Sequence, residues 1–238
     1  MNLRLNSNID IDEARSSFAN NKNIVIENFL GAESAGYLYD FFSKQMPEDW
    51  WFTSFRSSTS KDYKNTKIVR RTKDNIAKIN SQYPGLYRGL SRGDFSYIFD
   101  RTSLHVKKCK CIKCKYEEFI SSPEMLELFN NITGVKCKKR GEFFASRFTT
   151  GQFLGPHHDI NKGKLGMVYS LAKGWKPEYG GNLYILEKDY KTIKKVVLST
   201  FNRLALFSIP EQNGIPHFVS QVVPKVNKHR ISITGWML

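Results

Sequence analysis

Gly151-Gln152-Phe153-Leu154-Gly155-Pro156-His157-His158-Asp159 lies between two short apolar runs, Phe143 to Phe148 and Leu165 to Leu171. In an extended chain, residues i and i+2 point to the same side. His157 and Asp159 therefore share a face at a strand end, and His158 turns away. His217 opens a later run, His217 to Val223, and Arg230 opens the last one, Arg230 to Trp236. Two imidazoles and one carboxylate occupy one face of an octahedral iron(II) and leave positions open for reactants. The planar fork of an arginine bonds a carboxylate through two parallel hydrogen bonds, so Arg230 suits a dicarboxylate. His157, Asp159 and His217 thus predict a non-haem iron centre, with Arg230 beside it.

Outward from this stretch, the texture after Gly141 is uniform. Asn182 to Leu186, Lys195 to Leu198 and Arg203 to Ile209 are further β-branched or aromatic runs, separated by turns rich in Gly, Pro, Asn and Lys. Many short strands with tight turns predict a jelly-roll core over residues 141–238. The first 140 residues read as a mixed region packed on that barrel, giving an α+β, mainly β, cupin-like double-stranded β-helix with N-terminal supporting helices. Asn23 to Phe29 predicts a strand. Ser34 to Met46 predicts a helix stopped by Pro47, and Lys73 to Ile79 a weak one ending before Pro84-Gly85. Ser122-Pro123-Glu124 is a helix start, with a serine cap and proline in the first turn, and Gly134 ends that helix.

The 238 residues suit one structural unit, and 40% hydrophobic with 13% aromatic content is enough for a packed core. No apolar run is long enough to cross a membrane, and Met1 to Ile11 lacks the apolar centre of a secretory signal, so a reducing cytoplasm is the expected compartment. Lys plus Arg exceeds Asp plus Glu by 37 to 22, a net charge of +15. That excess favours an acidic partner, and nucleic acid is not excluded. All four cysteines fall between Cys109 and Cys137. In a reducing compartment such clustering suggests metal before disulfides. Cys109, Cys111, Cys114 and Cys137, with His105 as a substitute ligand, are candidates for a structural zinc on a basic loop at 105–115. The alternative is a basic loop with free thiols.

The order of motifs resembles the prolyl-4-hydroxylase-like branch of the iron(II)/2-oxoglutarate oxygenases. Five pieces carry the likeness: Gly151 to Asp159, Trp175-Lys176-Pro177-Glu178-Tyr179-Gly180-Gly181, Phe201 to Phe207, Pro216-His217, and Arg230-Ile231-Ser232-Ile233-Thr234-Gly235-Trp236. The resemblance implies iron(II), 2-oxoglutarate and O₂ as cofactors, with ascorbate as reductant. It assigns the metal to His157, Asp159 and His217, and a 2-oxoglutarate carboxylate to Arg230 with Thr234 on the same strand face. Where relatives place a tyrosine for that carboxylate this chain has Ser170, with Tyr169 one residue off and so on the opposite face. Arg147 stands where relatives carry a polar group near the cosubstrate, to pair with its C1 carboxylate; a surface ion pair is the alternative.

The resemblance implies a dioxygenase that hydroxylates a C–H bond, with a prolyl residue in a protein or peptide as the first expectation. Asp49 to Ser57 is aromatic and β-prone; Trp50, Trp51, Phe52 and Phe55, followed by the polar run Ser57 to Asn65, are a candidate covering loop for an extended chain, with plain core packing of these aromatics as the alternative. A free amino acid or other small molecule is the alternative substrate within the same chemistry. Repair oxygenases acting on alkylated nucleic acid carry a second arginine after the final threonine, where this chain has Gly235-Trp236. A basic nucleic-acid-binding protein on an oxygenase-like barrel is the reading from a different class, and the intact set of His157, Asp159, His217 and Arg230 speaks against it.

Overall fold

The computed structural model describes residues 2–59, 65–102, 111–210, 214–223 and 228–238. Its strands are β1 (Asn23–Glu27), β2 (Trp51–Ser58), β3 (Lys67–Arg70), β4 (Phe95–Thr102), β5 (Arg140–Phe148), β6 (Phe153–His157), β7 (Leu165–Leu171), β8 (Leu183–Leu186), β9 (Ile193–Val197), β10 (Phe201–Ser208), β11 (His217–Val219) and β12 (Arg230–Met237). They pair in the order β1-β10-β7-β12-β5-β4-β6-β11-β8-β9, and β2 joins β3 to β4. Because β4 bonds both β5 and β6, it links the two sides of the roll. The result is a mostly antiparallel, nearly closed jelly-roll with a few helices.

The helices are α1 (Ile11–Asn21), α2 (Ala32–Asp40), α3 (Ile76–Asn80), α4 (Tyr83–Ser91), α5 (Ile112–Ile120) and α6 (Pro123–Thr133). Strand alternation explains how they sit. On β12, Ile231, Ile233 and Met237 are buried with α1, α2, α5 and α6 in one apolar cluster. Arg230, Thr234 and Trp236 face the barrel cavity instead. A second cluster, including Phe99, Phe144, Phe148, Phe207 and Trp236, fills the barrel itself. The α6 cap is as read from the sequence: the Met125 N–H donates to Ser122 Oγ at 3.3 Å, and Gly134 closes the helix at φ 68°.

Several expectations need correction. The N-terminal region does more than support the barrel, since β1 to β4 are hydrogen-bonded into the same sheet. The weak helix does end before Pro84, as α3 at Asn80, but Pro84 then lies in the first turn of a further helix, α4, where its missing N–H costs nothing. The stretch 105–115, read as a loop, is helical from Ile112. Ile112, Tyr116 and Ile120 form a buried stripe at four-residue spacing, and buried Lys113 is paired with Glu117 at 2.5 Å. His105 and Cys109 lie outside the described residues. Of the two readings of the aromatic stretch the core one is met: it is largely β2, with Trp51 and Phe55 buried and paired across to Thr102 and Ile98. Trp50 alone of the aromatic quartet is exposed, and residues 60–64 lie outside the description.

Candidate active site

His157 ends β6 and His217 begins β11, and the two are direct cross-strand partners. Their rings lie 4.3 Å apart between centroids. Asp159 follows two residues after His157. Its Oδ1 is 3.7 Å from His157 Nε2, and its Oδ2 is 3.6 Å from His217 Nε2. Among the described residues these three alone form a metal-ligand group, with ligand atoms all within 4.8 Å of one another.

Both imidazoles are oriented the same way. Nδ1 of His157 is 3.0 Å from the Gly155 carbonyl, and Nδ1 of His217 is 3.0 Å from the Ile215 carbonyl. A carbonyl can only accept, so each Nδ1 carries the hydrogen and each Nε2 lone pair is left toward the common centre. Burial pushes the His157 pKa down to about 3, helped by the neighbouring His217 and outweighing the attraction of Asp159. The ring is therefore neutral at physiological pH, as a metal ligand must be.

The donor set fits iron(II) on a further ground. Asp159 is 5% exposed; its Oδ2 accepts from Trp236 Nε1 at 3.0 Å, but its Oδ1 is buried with no hydrogen-bond partner. A buried carboxylate oxygen left without a donor costs free energy unless something else fills the place. A divalent cation held by Asp159 and the two Nε2 atoms would do so.

Arg230 lines the same cavity. It is 3% exposed, and its guanidinium donates to Ser199 Oγ at 2.9 Å and Ser232 Oγ at 3.1 Å while lying over the Phe148 ring. Among the described residues no carboxylate pairs with it, and burial lowers its pKa to about 10. A buried cation with only hydroxyl partners is a receptor for an anion. The Gly180-Gly181 turn packs beside Arg230. Both glycines have positive φ, 71° and 65°, and a Cβ on Gly181 would meet Val222 Cγ2 at 3.2 Å and Arg230 Cδ at 3.4 Å. The cavity joining Arg230 to the three ligands is about 180 Å³ and lined mainly by rings and aliphatic groups.

The other candidates divide by strand parity. Thr234 lines the cavity. Ser170 borders a small adjoining void beside Arg230, and its buried Oγ has no partner. Tyr169 faces the helices: it stacks on Tyr116, donates to Asn202 Oδ1 at 2.8 Å, and burial raises its pKa well beyond the ordinary range. Arg147, one residue off the cavity face of β5, lies over Trp51 and bonds Asp100 Oδ2 at 2.9 Å and Glu48 at 2.7 Å. The expectation that Arg147 meets the cosubstrate is not met by this placement, because its fork is already filled by carboxylates. Cys111, Cys114 and Cys137 do not gather into a three-ligand group among the described residues. Sequence reading missed Trp236 as the donor to Asp159, Ser199 as a partner of Arg230, and Phe95, whose ring stacks on His157 at 5.0 Å. A tryptophan two residues beyond Thr234 on the same face was the available signal.

Residues 143–238 match the 2OG-Fe(II) oxygenase superfamily. Over those residues the match agrees with the resemblance to the iron(II)/2-oxoglutarate oxygenases read from the motifs, and it supports an oxygenase. No curated protein sequence matches the chain. Among solved structures, an oxidoreductase of the 2OG-Fe(II) oxygenase family from Burkholderia pseudomallei superposes at a TM-score of 0.60 and 10% identity, covering 99% of this chain and 94% of its own. A prolyl hydroxylase from Trichoplax adhaerens, solved with a peptide fragment of the hypoxia inducible factor oxygen degradation domain, gives 0.60 at 18%, covering 96% and 88%. A prolyl-4-hydroxylase from Pseudomonas putida gives 0.53 at 14%, covering 100% and 97%. At these identities the likeness is one of fold. It extends over the N-terminal region that the superfamily match does not reach.

Proposed function

We propose that the protein is an iron(II)- and 2-oxoglutarate-dependent dioxygenase that hydroxylates a C–H bond, with a prolyl residue of a protein or peptide as its substrate. The observation that carries this reading is one cavity holding both a buried, under-coordinated His157–Asp159–His217 group and a buried arginine without a carboxylate. Bound iron(II) would supply the oxidation, in which O₂ gives one oxygen atom to the substrate C–H bond and the other to succinate as 2-oxoglutarate loses CO₂. The chain's own residues bind and orient. Arg230, with Thr234 and Ser170 near it, would hold the far carboxylate of 2-oxoglutarate and so aim its 2-oxo end at the three ligands. Phe148, Phe207, Leu183 and Val219 line the space between and exclude water.

A specific observation favours a second reading. Arg101 and Glu142 are ion-paired on the cavity lining, with Arg101 over the Phe144 ring at 3.9 Å. Opposite charges side by side suit a zwitterion, such as a free amino acid. The two readings separate in one assay. The protein is incubated with iron(II), 2-oxoglutarate, ascorbate and either proline-containing peptides or free amino acids, and succinate and one-oxygen mass gains are followed. Peptide-stimulated succinate with oxygen on proline is the expected result. Stimulation by free amino acids alone would transfer the assignment to the second reading, and no succinate under any condition would remove both.

A further inference from the structure

Ser232 on β12, Ser170 on β7 and Arg203 on β10 are successive cross-strand partners, so they form one row across three strands. At one end of the row, Ser232 Oγ accepts from Arg230 Nη1 at 3.1 Å. Ser170, Arg203 and Arg230 together border a small space of about 10 Å³, walled otherwise by aliphatic side chains and Ser199. Arg230, Val168 and Leu183 line both this space and the iron cavity, so the two adjoin.

Two polar atoms of this lining, Ser170 Oγ and Arg203 Nε, are buried without a hydrogen-bond partner among the described residues. The rest of the Arg203 guanidinium is engaged. Its Nη1 donates to the Leu198 carbonyl at 2.8 Å, and its Nη2 pairs with Glu27 at 2.6 Å. Ser199 is also satisfied, since its Oγ accepts from Arg230 Nε at 2.9 Å and donates to the Gly181 carbonyl at 2.8 Å. A buried donor without an acceptor is costly. One ordered water needs a space of roughly 10–15 Å³ with two to four polar partners.

We propose that one water held in this space ties Arg203 and Ser170 to the far carboxylate of 2-oxoglutarate, which makes Arg203 a positioning residue for the cosubstrate. The proposal rests on the reading of Arg230 as the anchor of that carboxylate. The water accepts from Arg203 Nε–H and bonds Ser170 Oγ. No carboxylate side chain borders the space, so a hydrogen left on the water is donated to the anion bound by Arg230. A water bridge of this kind is nearly as favourable as a direct hydrogen bond. Glu27, through its pair with Nη2, holds the guanidinium from the other side.

The test is calorimetric titration of 2-oxoglutarate into the iron(II)-loaded protein without O₂, with turnover measured separately. Lysine carries a methylene where arginine carries Nε, so Arg203→Lys removes that donor and keeps a cation for Glu27. Arg203→Lys and Ser170→Ala should each weaken 2-oxoglutarate binding about fivefold and raise its KM alike, with little change in kcat at saturation. The double variant should be about as weak as either single one, because both act through one water. Glu27→Gln, which breaks the ion pair and leaves Nε in place, should bind 2-oxoglutarate as the unaltered protein does. A crystal of the 2-oxoglutarate complex should show water density within hydrogen-bond reach of both Arg203 Nε and Ser170 Oγ. Unchanged binding in both single variants, losses that multiply in the double variant, or no water density would overturn the proposal. So would an equal loss in Glu27→Gln, which would make Arg203 a support of the fold only. An unaltered protein that binds iron(II) but not 2-oxoglutarate would instead overturn the reading of Arg230, and the proposal with it.

Discussion

Two buried arginines on neighbouring strands have opposite surroundings. Arg147 on β5 is opposite Ile231, and Arg230 on β12 is opposite Phe148, so the two side chains leave the sheet on opposite faces. Arg147 is saturated with carboxylates, and Asp100, fully buried, also accepts from Thr53 at 2.8 Å, Gln152 at 3.1 Å and Arg71 at 3.3 Å. Burial alone would lower the Arg147 pKa, but Glu48 and Asp100 raise it. Arg230 has hydroxyls and no acid, and its pKa is depressed. The same is true of the carboxylates: Asp100 has every neighbour it needs, whereas Asp159 keeps an oxygen without a donor. Here the completed network, around Arg147 and Asp100, belongs to the fold, and the incomplete one, around Arg230 and Asp159, lines the cavity where something else can bind.

The sharpest test of that contrast is the metal group. Asp159→Ala and His217→Ala should each abolish turnover, because two ligands do not hold iron(II) against water. Binding of iron(II), measured by calorimetry or by the spectrum of the 2-oxoglutarate complex, should be lost along with activity. Retention of one iron equivalent by Asp159→Ala would break the assignment.

Next come the two arginines, whose replacement should fail in different assays. Arg230→Ala should raise KM for 2-oxoglutarate by two orders of magnitude or more, from the about 3–5 kcal/mol lost when one partner of a buried charge pair is removed. The stability of the cosubstrate-free protein should hardly change, since no native ion pair is broken. Arg147→Ala should do the reverse. It leaves Asp100 buried with its main cation gone, so urea unfolding should show a loss of about 3–5 kcal/mol while KM for 2-oxoglutarate in the surviving folded protein stays near normal. An Arg147→Ala protein of full stability with a raised KM would restore Arg147 to the cosubstrate.

A smaller effect is expected from Trp236→Phe. The ring volume is largely kept, but the N–H that donates to Asp159 Oδ2 is lost. Partners that orient a ligand are worth about 10–100-fold in metal affinity, so iron(II) binding should weaken by roughly tenfold with little change in melting temperature. Unchanged affinity would make Trp236 a packing residue only.

Why the ligands were legible and their supports were not is a matter of range. His157 and Asp159 are two apart on a strand, so local geometry alone aims both at one point. The strands after Gly141 announce themselves by β-branched runs between turns, and Arg230 and Thr234 follow from the same period. Trp236 continues that period, yet its bond to Asp159 spans 77 positions of chain, and no local pattern encodes it. Tyr169 and Arg147 show how sharp the parity rule is. One position along a strand separates the cavity from the opposite face, and only the hydrogen-bonding register decides which is which. Helix α5 was hidden by its lysines, one of which is buried through a pair with Glu117.

The smallest expected effect lies in the saturated network and depends on pH. Burial tends to raise the Glu48 pKa, but hydrogen bonds and charges from Arg147 and then Arg71 prevail and hold it down at about 2, from an ordinary 4.5. A carboxyl depressed in the folded state stabilises it fully above its unfolded pKa. The contribution fades as pH falls from 4.5 towards about 2, where the folded protein also takes up the proton. Glu48 is half exposed, so solvent screening keeps the gain modest. Urea midpoints measured from neutral pH downward should therefore converge for the unaltered protein and Glu48→Gln as the solution becomes acid. The unaltered protein should be the more stable one near neutrality. Parallel curves at all pH values would mean that Asp100 alone holds Arg147, and that the network is complete without Glu48.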